Sequence, residues 1–249
     1  MTDPQDIWTA RANRIDLPTA RGIVPLVVAL PVQTPQGTVL LVHGRNGAPG
    51  QAQIAEIAEA YLARGWRVVA PELPHSAASP GSGPPDGVTF SGHTAAAAAL
   101  WEWLAQEWPE GPRALAGHSL GGYAVAHLAA ESPDTHHVLA VSPVLSGPAL
   151  ISAREAMGPA AIEEVRREAP AYFTEMQTAD ARPALNRMTA PLAVVTGASD
   201  GLIPVKVARA YFAAAQEGRF FATLPGEHHC PAGPACGRML ATALSTLGA

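Results

Sequence analysis

The chain has 249 residues, 48% hydrophobic and 15% charged, which describes a folded globular protein with a sizeable core and excludes a disordered or fibrous one. Its formal charge of −5 is mild and unclustered, so no basic surface calls for nucleic acid or an anionic membrane. No apolar run approaches membrane-spanning length, no secretory pattern opens the chain, and two cysteines are too few for a disulfide framework, so a soluble, cytoplasmic protein is expected.

Residues 1–20 are polar and carry little pattern. The run from Gly22 to Leu30 reads as one or two early strands, with Pro25 suggesting a sheet edge or a bulge. Thr34-Pro-Gln-Gly37 is a turn signal, and Thr38–Val42 is a continuous apolar strand of the kind buried on both faces of a parallel sheet. It leads directly into His43-Gly44-Arg45. Apolar or small residues at Ile54, Ile57, Ala58, Tyr61 and Leu62 place a helix over about 51–64, with Gly65 as its C-cap. A strand over 67–70 follows, then a loop rich in Pro, Gly and Ser to Gly87, and a helix over about 91–108.

The alternation continues with a strand over 113–117, a helix over 119–131 stopped by Pro133, and a strand over 138–141. Residues 144–188 break the rhythm and read as mostly helical. A strand over 192–195, a helix over about 204–217, a strand over 220–224 and a helix over about 236–247 complete the chain. Strands alternating with helices at this spacing imply βαβ units. The expected fold is a single α/β domain over 1–249, with a mostly parallel central sheet covered by helices on both faces. The insertion at about 144–188 stands where a small helical lid would sit, and its Ala, Met, Tyr and Phe content suggests an apolar cavity beneath it.

Gly117-His118-Ser119-Leu120-Gly121 carries the clearest chemistry. It is the G-x-S-x-G pattern of a nucleophile elbow, placed between an apolar strand and a small-residue helix. A serine on so sharp a turn takes a strained backbone conformation, so the residues two either side must lack bulk. The helix that follows aims its positive end at the serine. In a parallel α/β sheet, the loops at the carboxyl ends of strands converge on one edge. Four of those loops carry unusual residues: His43-Gly44-Arg45, Ser119, Asp200 and His228-His229. A serine hydroxyl is a poor nucleophile at neutral pH and needs an imidazole to take its proton and an acid to orient that imidazole.

On these residues the chain resembles α/β-hydrolase fold serine hydrolases over about 22–247. The matching pieces are Val42-His43-Gly44, Gly117–Gly122, the segment Leu185–Gly197 leading to Asp200 and Pro204, and Pro225-Gly226 before a histidine. The resemblance implies Ser119 as nucleophile and Asp200 as the orienting acid, the latter also readable as a turn or N-cap aspartate. The loop after 138–141 is Ser142-Pro143 and offers no rival carboxylate. Aligned without a gap on Pro225-Gly226, the base is His229; a loop one residue shorter selects His228. The resemblance also implies an oxyanion hole from the backbone N–H groups of Arg45 and Leu120, leaving the Arg45 side chain for a substrate carboxylate or for solvent.

The chain departs from the family at Pro71–Ser76, where Glu72 and His75 stand in place of the more usual Asp and Gly. His75 then adds an imidazole near the pocket mouth or is simply a solvated loop residue. His228, His229, Cys230 and Cys236 together could suggest zinc, but their spacing fits no common site. A Cys230–Cys236 disulfide is a second reading, and two free thiols fit a reducing compartment. No cofactor or metal is expected.

The resulting expectation is a serine hydrolase acting on a small-molecule carboxylic ester or thioester through an acyl-enzyme. Relatives with an aspartate nucleophile are excluded by Ser119. Those relying on a pocket lysine are disfavoured, because the sole lysine, Lys206, lies on a helix after Asp200. Carbon–carbon bond hydrolases, acyltransferases, haloperoxidases and a non-catalytic ligand-binding member share enough of the pattern to stay open.

Overall fold

The computed structural model of the protein describes residues 8, 12–19, 22–79 and 81–249. Its centre is an eight-stranded sheet built from β1 (Asn13–Thr19), β2 (Gly22–Ala29), β3 (Gly37–Val42), β4 (Trp66–Pro71), β5 (Arg113–His118), β6 (Val138–Val141), β7 (Leu192–Gly197) and β8 (Gly218–Leu224). The spatial order is β1-β2-β4-β3-β5-β6-β7-β8. Only β2 runs against the rest, pairing antiparallel with both β1 and β4, while every pair from β4 to β8 is parallel.

The continuous apolar runs produce this arrangement. In β3, β5, β6 and β7 alternate residues point to opposite faces, and both faces are covered. Leu40, Val42, Leu115, Val138, Ala140, Leu192 and Val194 enter one core; Val39, Leu41, Ala114, Ala116, Leu139, Val141, Ala193 and Val195 enter the other. The second core is closed by α1 (Ala52–Leu62) and, further along, α9 (Pro234–Thr246). The first is closed by α2 (Phe90–Glu107), α3 (Leu120–Glu131) and α8 (Val205–Ala214). This is the mostly parallel α/β architecture expected from the strand–helix alternation, and the α/β-hydrolase fold that the resemblance implied. No helix of the described residues is long and apolar enough to cross a membrane.

The insertion folds as α4 (Gly147–Met157), α5 (Pro159–Glu168), α6 (Pro170–Met176) and α7 (Arg182–Arg187). Each of these short helices has a proline in its first turn, where the missing N–H has no intrahelical partner to lose. Ile162, Val165, Tyr172 and Met176 turn inward onto the first core.

Two early features differ from the sequence expectation. Residues 13–19 form β1, an edge strand exposed along most of its length. An edge strand that buries neither face needs no apolar alternation, so its sequence shows none. Pro25 lies in β2, second in the sheet and not at its edge. It faces Asp16 of β1, one residue beyond the Leu26–Pro71 pair at which the ladder to β4 begins. Residues 1–7 and 9–11, read as polar and patternless, lie outside the described residues.

Candidate active site

Ser119 stands between β5 and α3 with φ 55° and ψ −117°, in the positive-φ region that few non-glycine residues occupy. Its own N–H donates to the Val141 carbonyl at 3.0 Å, and its carbonyl accepts from Gly122 and Val144 at 2.9 and 3.0 Å. These bonds to two neighbouring segments hold the strained turn. The flanking glycines are required by close approach: a Cβ at Gly117 would run into the Gly121 carbonyl, and one at Gly121 into that of Val42. The absence of bulk two residues either side of Ser119 thus follows from how tightly α3 turns back over β3 and β5.

Ser119, His229 and Asp200 form one hydrogen-bonded chain. His229 Nδ1 lies 2.9 Å from Asp200 Oδ2, and its Nε2 lies 2.9 Å from Ser119 Oγ. A carboxylate only accepts, so Nδ1 carries the proton and the bare Nε2 accepts from the serine hydroxyl. The other oxygen of Asp200 accepts from the N–H groups of Leu202 and Ile203 at 2.9 and 2.8 Å. Its side chain is fully buried, so these donors replace the water it has lost. Asp200 therefore closes a turn; the N-cap of α8 is Pro204.

Of the two adjacent histidines, His229 makes the contacts to Ser119 and Asp200. His228 is exposed and its Nδ1–H donates to the Ser199 carbonyl at 2.9 Å, strapping the loop to the residue before Asp200. Gly197 makes room for this approach, since a Cβ there would strike the carbonyls of Glu227 and His228.

The loop after β3 lies beside the serine. A Cβ on Gly44 would sit 2.8 Å from Ser119 Cβ and 3.3 Å from Oγ. His43 Nε2 accepts from Leu73 N–H at 3.0 Å, so its proton is on Nδ1, which donates to the Gly44 carbonyl at 2.8 Å. The Gly47 N–H donates to the same oxygen at 3.0 Å. A trans peptide sets C=O and N–H in opposite directions, so anchoring the Gly44 carbonyl fixes the direction of the Arg45 N–H. Among the described residues neither Arg45 N–H nor Leu120 N–H takes up a hydrogen bond.

Two further histidines belong to this framework and carried no role in the sequence reading. His93 Nε2–H donates to the His43 carbonyl at 2.8 Å, and His118 Nε2–H to the His229 carbonyl at 2.9 Å. Burial pushes the His43 pKa down to about 4, and pushes those of His93 and His118 down to about 3, so all three are neutral donors at physiological pH. A signal for His93 was present: it shares the buried face of Ala97, Leu100 and Leu104, where an imidazole must be hydrogen-bonded.

The Arg45 side chain, read as free for a substrate carboxylate or for solvent, instead tucks beneath the inserted helices at 16% exposure. Its guanidinium lies over the Tyr172 ring, 5.6 Å from the centroid, and 3.9 Å from Glu168. His75 is half-buried and fastens its own loop, Nδ1–H to the Pro84 carbonyl at 2.8 Å. Glu72 pairs with Arg14 of β1 at 3.0 Å, and Lys206 is exposed on α8. Cys230 and Cys236 are free thiols, one exposed and one buried. Among the described residues no group of three or more His, Cys, Asp or Glu side chains is arranged to hold a metal ion. A cavity of about 580 Å³ opens between α2, α3 and residues 175–180; its wall includes Phe90, Tyr123 and His127 but not Ser119.

Comparison with known proteins agrees with this architecture. Est1E from Butyrivibrio proteoclasticus, solved with ferulic acid bound, superposes at a TM-score of 0.72 and 17% identity, over 91% of this chain and 96% of that one. DcsB in complex with its substrate analogue gives 0.73 at 17% identity, over 95% and 98%. TT1662 from Thermus thermophilus gives 0.64 at 20% identity, over 96% and 97%. At these identities the likeness speaks to the fold alone. No curated protein sequence matches the chain. Residues 33–177 match the family model described as serine aminopeptidase, S33. That match spans more than half of the chain and includes the loop after β3, the elbow and most of the inserted helices, so the chain belongs to the serine aminopeptidase S33 family of α/β-hydrolases.

Proposed function

We propose that the protein is a serine hydrolase cleaving a small-molecule carboxylic ester or thioester through an acyl-enzyme. The observation that carries this reading is the hydrogen-bonded chain from Ser119 Oγ through His229 to Asp200. Ser119 attacks the acyl carbonyl while His229 Nε2 takes its proton. Asp200 holds the Nδ1–H tautomer and stabilises the imidazolium that forms. The Arg45 and Leu120 N–H groups donate to the developing oxyanion, a contribution typically worth about 10²–10³ in rate per donor. His229 returns the proton to the departing alcohol or thiol, and water then resolves the acyl-enzyme by the same path.

Ester chemistry is favoured by the company the fold keeps, since the similar structures include Est1E with ferulic acid bound and an esterase domain from Rhodothermus marinus. The whole chain, 1–249, serves as one domain, and residues 144–188 act as its lid. Support for the lid comes from Ser119, which is 8% exposed, and from Tyr172 of that segment, whose ring meets the side chain of the oxyanion-loop residue Arg45. The test is hydrolysis of p-nitrophenyl esters of rising acyl length, run beside labelling by a fluorophosphonate probe. Activity and a single adduct on Ser119 are expected, both abolished in Ser119→Ala. An active Ser119→Ala protein, or a wild type that takes no probe, overturns the reading.

A further inference from the structure

The loop that carries His229 is fastened unevenly. Gly226 and Gly233 flank it in left-handed conformations, and His228 and Cys230 are exposed. The Glu227 carbonyl and the His228 ring both reach Ser199: the Ser199 N–H donates to the Glu227 carbonyl at 2.9 Å, and His228 Nδ1–H donates to the Ser199 carbonyl. These ties connect the loop to the segment bearing Asp200. They do nothing to set its distance from β5, the strand that delivers Ser119. Among the described residues, one hydrogen bond joins the backbone of 227–229 to β5, and it comes from His118.

We propose that His118 is a positioning residue: by donating Nε2–H to the His229 carbonyl, it fixes the base to the strand that presents the nucleophile. The proposal rests on the reading of Ser119 and His229 as nucleophile and base. His118 is 3% exposed, ends β5 immediately before Ser119, and holds its ring 5.1 Å from that of His229 at a 49° tilt. The donor thus ends β5 and the nucleophile is the next residue in the turn, while the carbonyl and the imidazole belong to one residue of the loop. The arrangement closes a short ring through two backbones, and within it the 2.9 Å contact between Nε2 and Oγ becomes insensitive to movement of the loop's exposed part. Burial also keeps the His118 ring neutral. It places no second positive charge beside His229 when that ring accepts the serine proton.

The test uses the full chain and compares wild type with His118→Leu, which lacks a donor, and His118→Gln, whose amide can reach the same carbonyl. Initial rates on p-nitrophenyl acetate and the rate of fluorophosphonate labelling are measured, with circular dichroism as the control for folding. His118→Leu is expected to lose about 10- to 100-fold in kcat with KM changed by less than about twofold, and to be labelled more slowly by a similar factor. His118→Gln is expected to recover to within about threefold of wild type. A folded His118→Leu with wild-type kcat and labelling overturns the proposal, as does a His118→Gln no better than Leu. If His118→Leu does not fold, His118→Asn takes its place: its shorter amide falls short of the carbonyl, and equal activity of the Asn and Gln variants overturns the proposal. A wild type that neither hydrolyses the ester nor takes the probe is a different failure, that of the hydrolase reading itself.

Discussion

Lowering the pH from 7.5 to 5 loads the histidines that build this protein's polar framework. Burial pushes the pKa of His43 down to about 4 and those of His93, His118 and His137 to about 3. In the unfolded chain each returns to about 6.5. Between these values the unfolded state binds protons that the folded state refuses, so stability is full above about pH 6.5 and falls as the pH drops. At pH 5 each neutral buried histidine costs the fold roughly 2 kcal/mol relative to pH 7.5, and this needs only that its folded pKa lie below 5. Four such residues together remove about 8 kcal/mol, comparable with the whole stability of a typical domain, about 5–15 kcal/mol. Urea unfolding at pH 7.5, 6 and 5 measures this directly. The expected outcome is a steep loss with a linkage approaching four protons per molecule near pH 5. His137, bonded to Tyr61 at the far side of α1, should account for one of them, so His137→Gln lowers the linkage by about one. Equal stability at pH 7.5 and pH 5, to within about 2 kcal/mol, refutes the reasoning.

Three further outcomes bear on the site. Asp200→Asn should leave the fold intact but offer His229 Nδ1 an amide in place of a carboxylate, reducing kcat on p-nitrophenyl acetate by about 10⁴; a loss below tenfold would remove Asp200 from the mechanism. His229→Ala should abolish turnover, whereas His228→Ala forfeits one exposed bond to Ser199, worth about 1 kcal/mol, and should keep activity to within about tenfold when assayed on the same ester. Arg45→Ala retains the backbone N–H and loses only the contacts with Tyr172 and Glu168, so kcat should stay within about tenfold of wild type. A 10³-fold loss in kcat with KM unchanged would instead assign the chemistry to the guanidinium.

The buried strands and the elbow were legible because each rests on a local rule. Val39–Val42 reads as a two-faced strand wherever it is placed, and Gly117 and Gly121 report a crowding set within a few residues of Ser119. That Ser119, Asp200 and the His228-His229 pair gather at one edge could also be read, since strand ends in a parallel sheet share one edge. What could not be read is anything decided by a partner distant in the chain. Whether His228 or His229 faces Ser119 depends on the path of a loop held by Ser199 and by His118, at sequence separations of 29 and 111. Arg45 looked free because nothing near it in sequence competes for its side chain; Tyr172 and Glu168 do so only after four helices have folded back over the loop. The edge strand β1 was silent for the opposite reason, since it buries too little to leave a pattern.

The histidines around the site answer a common physical problem. A hydrolase of this kind must aim backbone N–H groups and one imidazole at a single point, and those backbones lie in loops that no ladder of strand bonds controls. A peptide plane is fixed most directly by holding its carbonyl, and in each case here an imidazole N–H does so: His43 on Gly44, His93 on His43, His118 on His229. A buried lysine or arginine could make the same bond, but it would bring a positive charge close to the His229 ring, which in the proposed mechanism becomes positive during turnover. Serine or threonine would be neutral but too short to span from β5 to the base loop. Neutral imidazole has both the reach and the lack of charge, and it has them only while it stays unprotonated. The acid sensitivity worked out above and the orientation of the Arg45 N–H are therefore two consequences of the same residues. An engineered shift of activity to lower pH would have to replace these donors, with glutamine at 118 as the first such change.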